Sequence, residues 1–145
     1  ANVELKERVE RIRLAAGKLM NLGDVAEKTV PKMSLVSPPI SGGAINTRTI
    51  IPHRVHAAVG VLGSVSIATA CLMPGSIASD VASTDSASGG SLLDVEHPTG
   101  FFTVDVDVSG EGRELAVKRA SLLRTARLLM RGEVMVPKSV METPK

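Results

Sequence analysis

PHRVHAAVGVLGSVSIATACLM, residues 52–73, is the stretch whose reading decides the fold. From Ala57 to Met73 it carries no charge, so no face is marked for water, and a helix apolar all round is normally buried all round. Its small side chains (Ala57, Ala58, Gly60, Gly63, Ser64, Ser66, Ala68, Ala70) let neighbouring backbones approach closely. Gly60 and Gly63 each cost about 1 kcal/mol relative to Ala in a helix, so packing from outside must supply the stability. Pro52 suits a first helical turn, where its missing N–H costs nothing, and Pro74-Gly75 ends the segment. The expectation is a central apolar helix with a sheet wrapped around it and a polar front end of His53, Arg54 and His56. As a membrane span the run is at the short limit for about 30 Å of hydrocarbon, and no Trp or Tyr flanks it.

Outward from that helix, periodicity supplies the sheet. AINTRTII (44–51) alternates Ile45, Thr47, Thr49 and Ile51 against Asn46, Arg48 and Ile50, a half-buried strand. Met33 to Val36 is a short apolar strand stopped by Pro38-Pro39. Downstream, LLDVE (92–96), the turn His97-Pro98-Thr99-Gly100 and FFTVDVDV (101–108) form a strand pair. Phe102, Val104, Val106 and Val108 face inward and Thr103, Asp105 and Asp107 outward. Residues 113–123 return as a further strand and EVMV (133–136) as a last one, with RTARLLMR (124–131) readable as helix or strand. At the other end, residues 3–20 place Leu5, Val9, Ile12, Ala16 and Leu19 on one face of an amphipathic helix capped by Asn2 and closed near Gly23. The Gly/Ser-rich residues 76–90 read as an exposed flexible loop. The fold class expected is α+β: a mostly antiparallel sheet around one apolar helix, residues 1–145 forming a single domain.

Composition limits the function. A net charge of +2 gives no strong pull toward nucleic acid or anionic membrane, and with Phe101 and Phe102 the only aromatics there is no base-stacking surface. A lone cysteine, Cys71, forms no internal disulfide and suits a reducing cytosol, so a cytoplasmic location is expected. Residues 1–20 have no apolar core of a signal peptide, and a start at Ala1 without Met fits an excised piece.

All three histidines fall at two places, His53/His56 and His97. Histidines three apart share a helix face and a third residue could complete a metal site, but no cysteine or carboxylate at ligand spacing accompanies them, and no metal or cofactor is expected. A helix N-terminus attracts anions, and His53, Arg54 and His56 would strengthen such a site; plain packing of His56 is the alternative. In HPTG, Pro98 and Gly100 either only build the turn, or Thr99 and the Gly100 N–H hold an acidic ligand. Asn46 and Arg48 follow a Gly-rich run that lacks either nucleotide-loop spacing. Cys71, among Ala70, Leu72 and Met73, reads as core. Arg124, Arg127 and Arg131 read as a solvated strip.

Five segments in order, IRLAAGKLMNLGDV (12–25), VPKMSLVSPP (30–39), NTRTIIPHRVHAAVGVLGSVSIATACLMPGS (46–76), VEHPTG (95–100) and LLRTARLLMRGEVMVP (122–137), together resemble the C-terminal half of the PrpF-type isomerases. That family includes 4-oxalomesaconate tautomerase and 2-methylaconitate cis-trans isomerase. The resemblance implies a diaminopimelate-epimerase-like fold of two similar domains, each a sheet around a helix, with the ligand between them. It implies a cofactor-independent 1,3-proton shift in an unsaturated tricarboxylic acid. The family's acid/base Lys and Cys belong to the N-terminal half, and neither Lys32 nor Cys71 matches them, so no catalytic residue is expected in these residues and the isolated stretch should be inactive. Substrate contacts are expected from His53, Arg54, His56, Thr99 and Gly100, with Asn46 and Arg48 as further candidates. The expected partners are a small tricarboxylate, the N-terminal domain and a possible second copy. Two other classes stay open: a non-catalytic accessory module acting through an interface, and a metal hydrolase.

Overall fold

The computed structural model describes residues 2–84, 92–110 and 114–141. Its elements are α1 (Val3–Leu19), β1 (Met33–Ser37), β2 (Ile45–Ile51), β3 (Arg54–Val55), α2 (Val61–Cys71), α3 (Ile77–Val81), β4 (Leu92–His97), β5 (Gly100–Ser109), β6 (Ala116–Leu122) and α4 (Lys138–Met141). The sheet runs β1-β2-β4-β5-β6, with β3 beside β2. Every pairing is antiparallel except β2 with β4, which lie parallel over Ile45↔Val95 and Asn46↔Glu96. The mostly antiparallel α+β architecture therefore matches the sequence reading.

The alternation in β5 works as expected: Val104 and Val106 are buried, and Thr103, Asp105 and Asp107 lie on the opposite side. Ile45, Leu93, Val95, Val104 and Val106 form the core with Ile67, Ala68 and Cys71 of α2. In β2 the buried set is Ile45, Thr47, Thr49 and also Ile50, with Ile51 only half-buried.

Three expectations about residues 52–90 need correction. The helix begins at Val61, not Pro52. Pro52 and His53 instead turn the chain from β2 into β3, where Ile50 pairs with Val55 and Ile51 with Arg54, a position that a fixed φ also suits. The strand preference of β-branched neighbours outweighs the apolar run there. Second, α2 is covered on one side only: Ser64, Ile67, Ala68 and Cys71 are buried at spacings of three, one and three, while Val61 and Leu62 are exposed. The sheet lies against a helix face and does not wrap around it; small residues allowed close packing but marked no preferred side. Third, part of the 76–90 loop is α3. Ser76 caps it by accepting the Ser79 N–H at 3.0 Å, the cap geometry preferred for Ser, and Ala78 is buried against the core. Residues 85–90 of that loop lie outside the described residues.

The N-terminal helix is capped as expected, Leu5 N–H donating to Asn2 Oδ1 at 3.0 Å. Its end is closed by Asn21 at φ 56°, with Leu22 N–H reaching Gly17 O at 3.0 Å, a left-handed closure that Asn tolerates. The buried stripe differs from the apolar face in the sequence: Val9, Arg13 and Gly17 are buried, and Leu5, Ile12 and Leu19 are exposed. Gly17 is needed here because a Cβ would stand 2.5 Å from Val25 Cγ2. Finally, residues 123–137 form neither helix nor strand, so the expected EVMV strand is absent; a strand needs a paired edge, and none of the described strands runs beside it.

Candidate functional site

The N-terminus of α2 and the His97–Gly100 turn meet at one end of the sheet. Gly60 is the N-cap of α2 and has no side chain to cap with, so the first N–H groups of the helix have no side-chain acceptor. The loop before it is tied at both ends: His56 N–H donates to Thr49 O at 2.8 Å, and Ala58 N–H to His56 Nδ1 at 3.0 Å. Thr99 Oγ donates to Ala57 O at 2.9 Å, fastening the turn to this loop. Thr99 N–H reaches His97 Nδ1 at 3.3 Å. Gly100, at φ 147°, occupies backbone space that side chains rarely adopt. His56, Thr99 and Gly100 are all exposed at this point.

A cation that sequence reasoning weighed only as an acid/base match, and not as a binding residue, stands beside the same helix end. Lys32 Nζ lies 4.0 Å from where a Gly60 Cβ would sit, and Lys32 lines a cavity of about 450 Å³ with Ser34, Gly63, Ser66 and Ser76. Only the β1–β2–β3 register brings Lys32 there, so no local motif announces it. Helix dipole, free N–H groups and an ammonium together make this end attractive to a carboxylate.

The other expected residues lie elsewhere. His53 sits at the hairpin tip facing α1, in a cavity of about 510 Å³ shared with Lys6, Glu7, Glu10 and Arg11. Arg54, in β3, is exposed and, like His53, is outside the first helical turn. Asn46 and Arg48 alternate with the core-facing Ile45 and Thr47, so they occupy the face of the sheet away from α2. There Arg48 Nη1 donates to Asn46 Oδ1 at 2.8 Å and Asn46 Nδ2 to Ser37 Oγ at 3.0 Å.

Two buried charges hold this frame. Glu96 is 2% exposed; its Oε1 accepts from Ser41 N–H at 2.7 Å and Gly43 N–H at 2.9 Å, and Oε2 from Ile40 N–H at 2.9 Å. Burial alone would push the carboxyl up, but the N–H groups of Ile40, Gly43 and Ser41 and the charge of Arg48 outweigh it and hold it below the ordinary value. Gly43 permits the approach, since a Cβ would lie 2.7 Å from Asp94 O. The sequence hint was the Gly42-Gly43 pair; Glu96 itself was placed only as the last residue of the strand 92–96. Arg13, fully buried, donates through Nη1 to the carbonyls of Val25, Lys28 and Val30 at 3.0, 3.0 and 2.6 Å. It also pairs with Glu10 at 2.7 Å. The Arg13 hydrogen bond holds the Glu10 carboxyl below its usual value despite its partial burial, with a smaller pull from His53.

Cys71 is buried, and desolvation pushes its thiol up to about 11, as a core cysteine. Among the described residues, no three His, Cys, Asp or Glu side chains stand close enough to hold a metal, and no helix is long and apolar enough to cross a membrane.

The model of the PrpF protein family matches residues 1–137. This chain belongs to the PrpF family. It is 56% identical over 136 residues to a (4E)-oxalomesaconate Δ-isomerase of Novosphingobium sp. (strain KA1), covering 94% of this chain and 37% of that protein. It is 49% identical over 147 residues to a 4-oxalomesaconate tautomerase of Pseudomonas putida, covering all of this chain and 39% of the relative. A crystal structure of a methylitaconate Δ-isomerase superposes with TM-score 0.66 at 18% identity, over 85% of this chain and 37% of that one. The PrpF chain described here thus spans less than two-fifths of the length of these relatives.

Proposed function

We propose that these residues form one wall of the cleft of a cofactor-independent isomerase that moves a double bond in an unsaturated tricarboxylic acid. The observation that carries the reading is the junction of the uncapped α2 N-terminus with the HPTG turn through Thr99 and Ala57, in a PrpF chain whose relatives are named oxalomesaconate and methylaconitate isomerases. Those names speak for an isomerase over an accessory module.

In this reading the α2 N–H groups, Lys32 and the Gly100 N–H receive carboxylate arms, with Thr99 holding the turn in place through its bond to Ala57 O and His56 alongside. Fixing those arms aligns the carbon whose C–H bond breaks. The electron pair left behind spreads through the conjugated acid as a dienolate, and a C–H bond forms at the far carbon as the double bond shifts. Donors already aimed at a carboxylate favour the charge that builds on its oxygens. The proton-transferring acid and base come from outside these residues.

A full-length chimera tests this. In it, the matched part of the Pseudomonas putida tautomerase is replaced by these 145 residues. The chimera should turn over oxalomesaconate, and Lys32→Gln should raise KM more than it lowers kcat. The 145 residues alone should show no turnover; near-native turnover by them would refute the shared-cleft reading.

A further inference from the structure

The two turns that meet at the candidate site are each held by a histidine in the same way. His56 Nδ1 accepts the N–H of Ala58 at 3.0 Å, and His97 Nδ1 accepts that of Thr99 at 3.3 Å. In both, a ring nitrogen bonded to Cγ receives the amide two residues on. Asp and Asn make the same closure with Oδ1, which is also bonded to Cγ. The chain contains the Asp version in the loop after α1, where Ala26 N–H donates to Asp24 Oδ1 at 3.0 Å. A ring nitrogen that accepts carries no proton, so each imidazole is neutral with its hydrogen on Nε2. Thr99 Oγ also stands 3.2 Å from His97 Nδ1. Its hydroxyl hydrogen goes to Ala57 O, between His56 and Ala58, so the two histidine turns are joined.

The geometry assigns His56 and His97 a shared positioning role: they do the work of Asp without its charge, closing both turns while keeping negative charge away from the mouth of a carboxylate site. This rests on the reading of that site as a carboxylate pocket. The His56 turn leads into Gly60 and the first N–H groups of α2, and the His97 turn presents Gly100. Asp at either position would close its turn equally well, but would set a like charge beside an incoming anion. The carboxylate next to His97 in sequence, Glu96, is buried and taken up by the N–H groups of Ile40, Ser41 and Gly43.

Leu, Asn and Asp at each position test this, by amide exchange in the 145-residue chain and by kinetics in the full-length chimera; protected β5 amides mark a folded sample. The Ala58 amide in His56→Leu and the Thr99 amide in His97→Leu should exchange about 10-fold faster than in wild type. Asn and Asp, each with an acceptor on Cγ, should keep them slow. In the chimera, Leu and Asp should each raise KM for oxalomesaconate at least about 5-fold with kcat changed less than about 2-fold, and Asn should leave KM within about 2-fold of the parent. Added salt should shrink the Asp effect and leave the Leu effect. Asp matching Asn in KM overturns the proposal. So does Asn matching Leu in KM while its amide stays slow, because the ring itself would then be what the substrate needs. Wild-type Ala58 and Thr99 amides as fast as in urea overturn it without any variant. Where a Leu variant loses β5 protection, Gln, whose acceptor sits one carbon further out, replaces it. If the parent chimera shows no turnover, the isomerase reading is what fails. The variants are then scored by citrate titration of the 145-residue chain: weaker binding in Asp but not Asn upholds the proposal, and equal or absent binding overturns it.

Discussion

Replacing Glu96 with Gln tests the buried carboxylate that joins β4 to the loop between β1 and β2. The wild-type side chain satisfies three backbone donors, two on Oε1 and one on Oε2. Gln keeps the shape but supplies one acceptor oxygen. If that oxygen serves Ser41 and Gly43, the amide NH₂ faces the Ile40 N–H, donor against donor. An unmet buried donor costs about 1–3 kcal/mol and the charge-assisted bonds weaken as well, so a loss of about 2–4 kcal/mol is expected. In urea, with a slope of about 1.5 kcal/mol per M, the midpoint should fall by roughly 1.5–2.5 M at pH 7. The pH dependence fixes the mechanism. Because the folded carboxyl titrates below its unfolded value, its contribution is complete above the unfolded value near 4.5 and disappears as pH falls through the lower folded one. Wild type and variant should therefore converge in strongly acid solution. A midpoint change under 0.3 M at pH 7, or a gap that stays constant into acid, would refute the reasoning.

Arg13→Lys keeps the charge but loses the planar fork that reaches Val25, Lys28 and Val30; thermal unfolding should show a destabilisation of about 2–4 kcal/mol. In the full-length chimera, Thr99→Val removes the bond to Ala57 O, worth about 0.5–1.5 kcal/mol, so KM should rise by roughly 2- to 10-fold with the far-ultraviolet circular dichroism unchanged. Cys71, buried and with its thiol pushed up to about 11, should react with a thiol reagent at pH 8 at least 100-fold more slowly in the folded chain than in urea.

Residues whose environment is set within a strand were legible. The alternation in FFTVDVDV and INTRTII assigned the buried faces, because period two leaves little choice of side once one face is apolar. The start of α2 was not legible, since an uncharged run contains no marker separating hairpin, loop and helix, and Pro52 fits a hairpin turn as well as a helix start. That misplaced His53 and Arg54, whereas His56, Thr99 and Gly100 converge because HPTG and the α2 entry are joined by tertiary contact. Lys32, Glu96 and Arg13 were invisible for one shared reason. Each is a charged residue whose role depends on a backbone many positions away, and local pattern assigns charge to solvent by default.

The single parallel seam has a consequence for how the chain reaches this structure. The β1–β2–β3 unit and the β4–β5–β6 unit each pair only near neighbours in sequence, whereas Ile45↔Val95 and Asn46↔Glu96 close a loop of some fifty residues. The entropy of that closure grows as about (3/2)RT ln n and must be met before the seam rewards it. The two meanders can form first and join last, with Glu96 and Thr47, whose hydroxyl donates to Glu96 O at 2.7 Å, acting as a latch set after the transition state. Substitutions at the latch would then accelerate unfolding and leave the refolding rate nearly untouched.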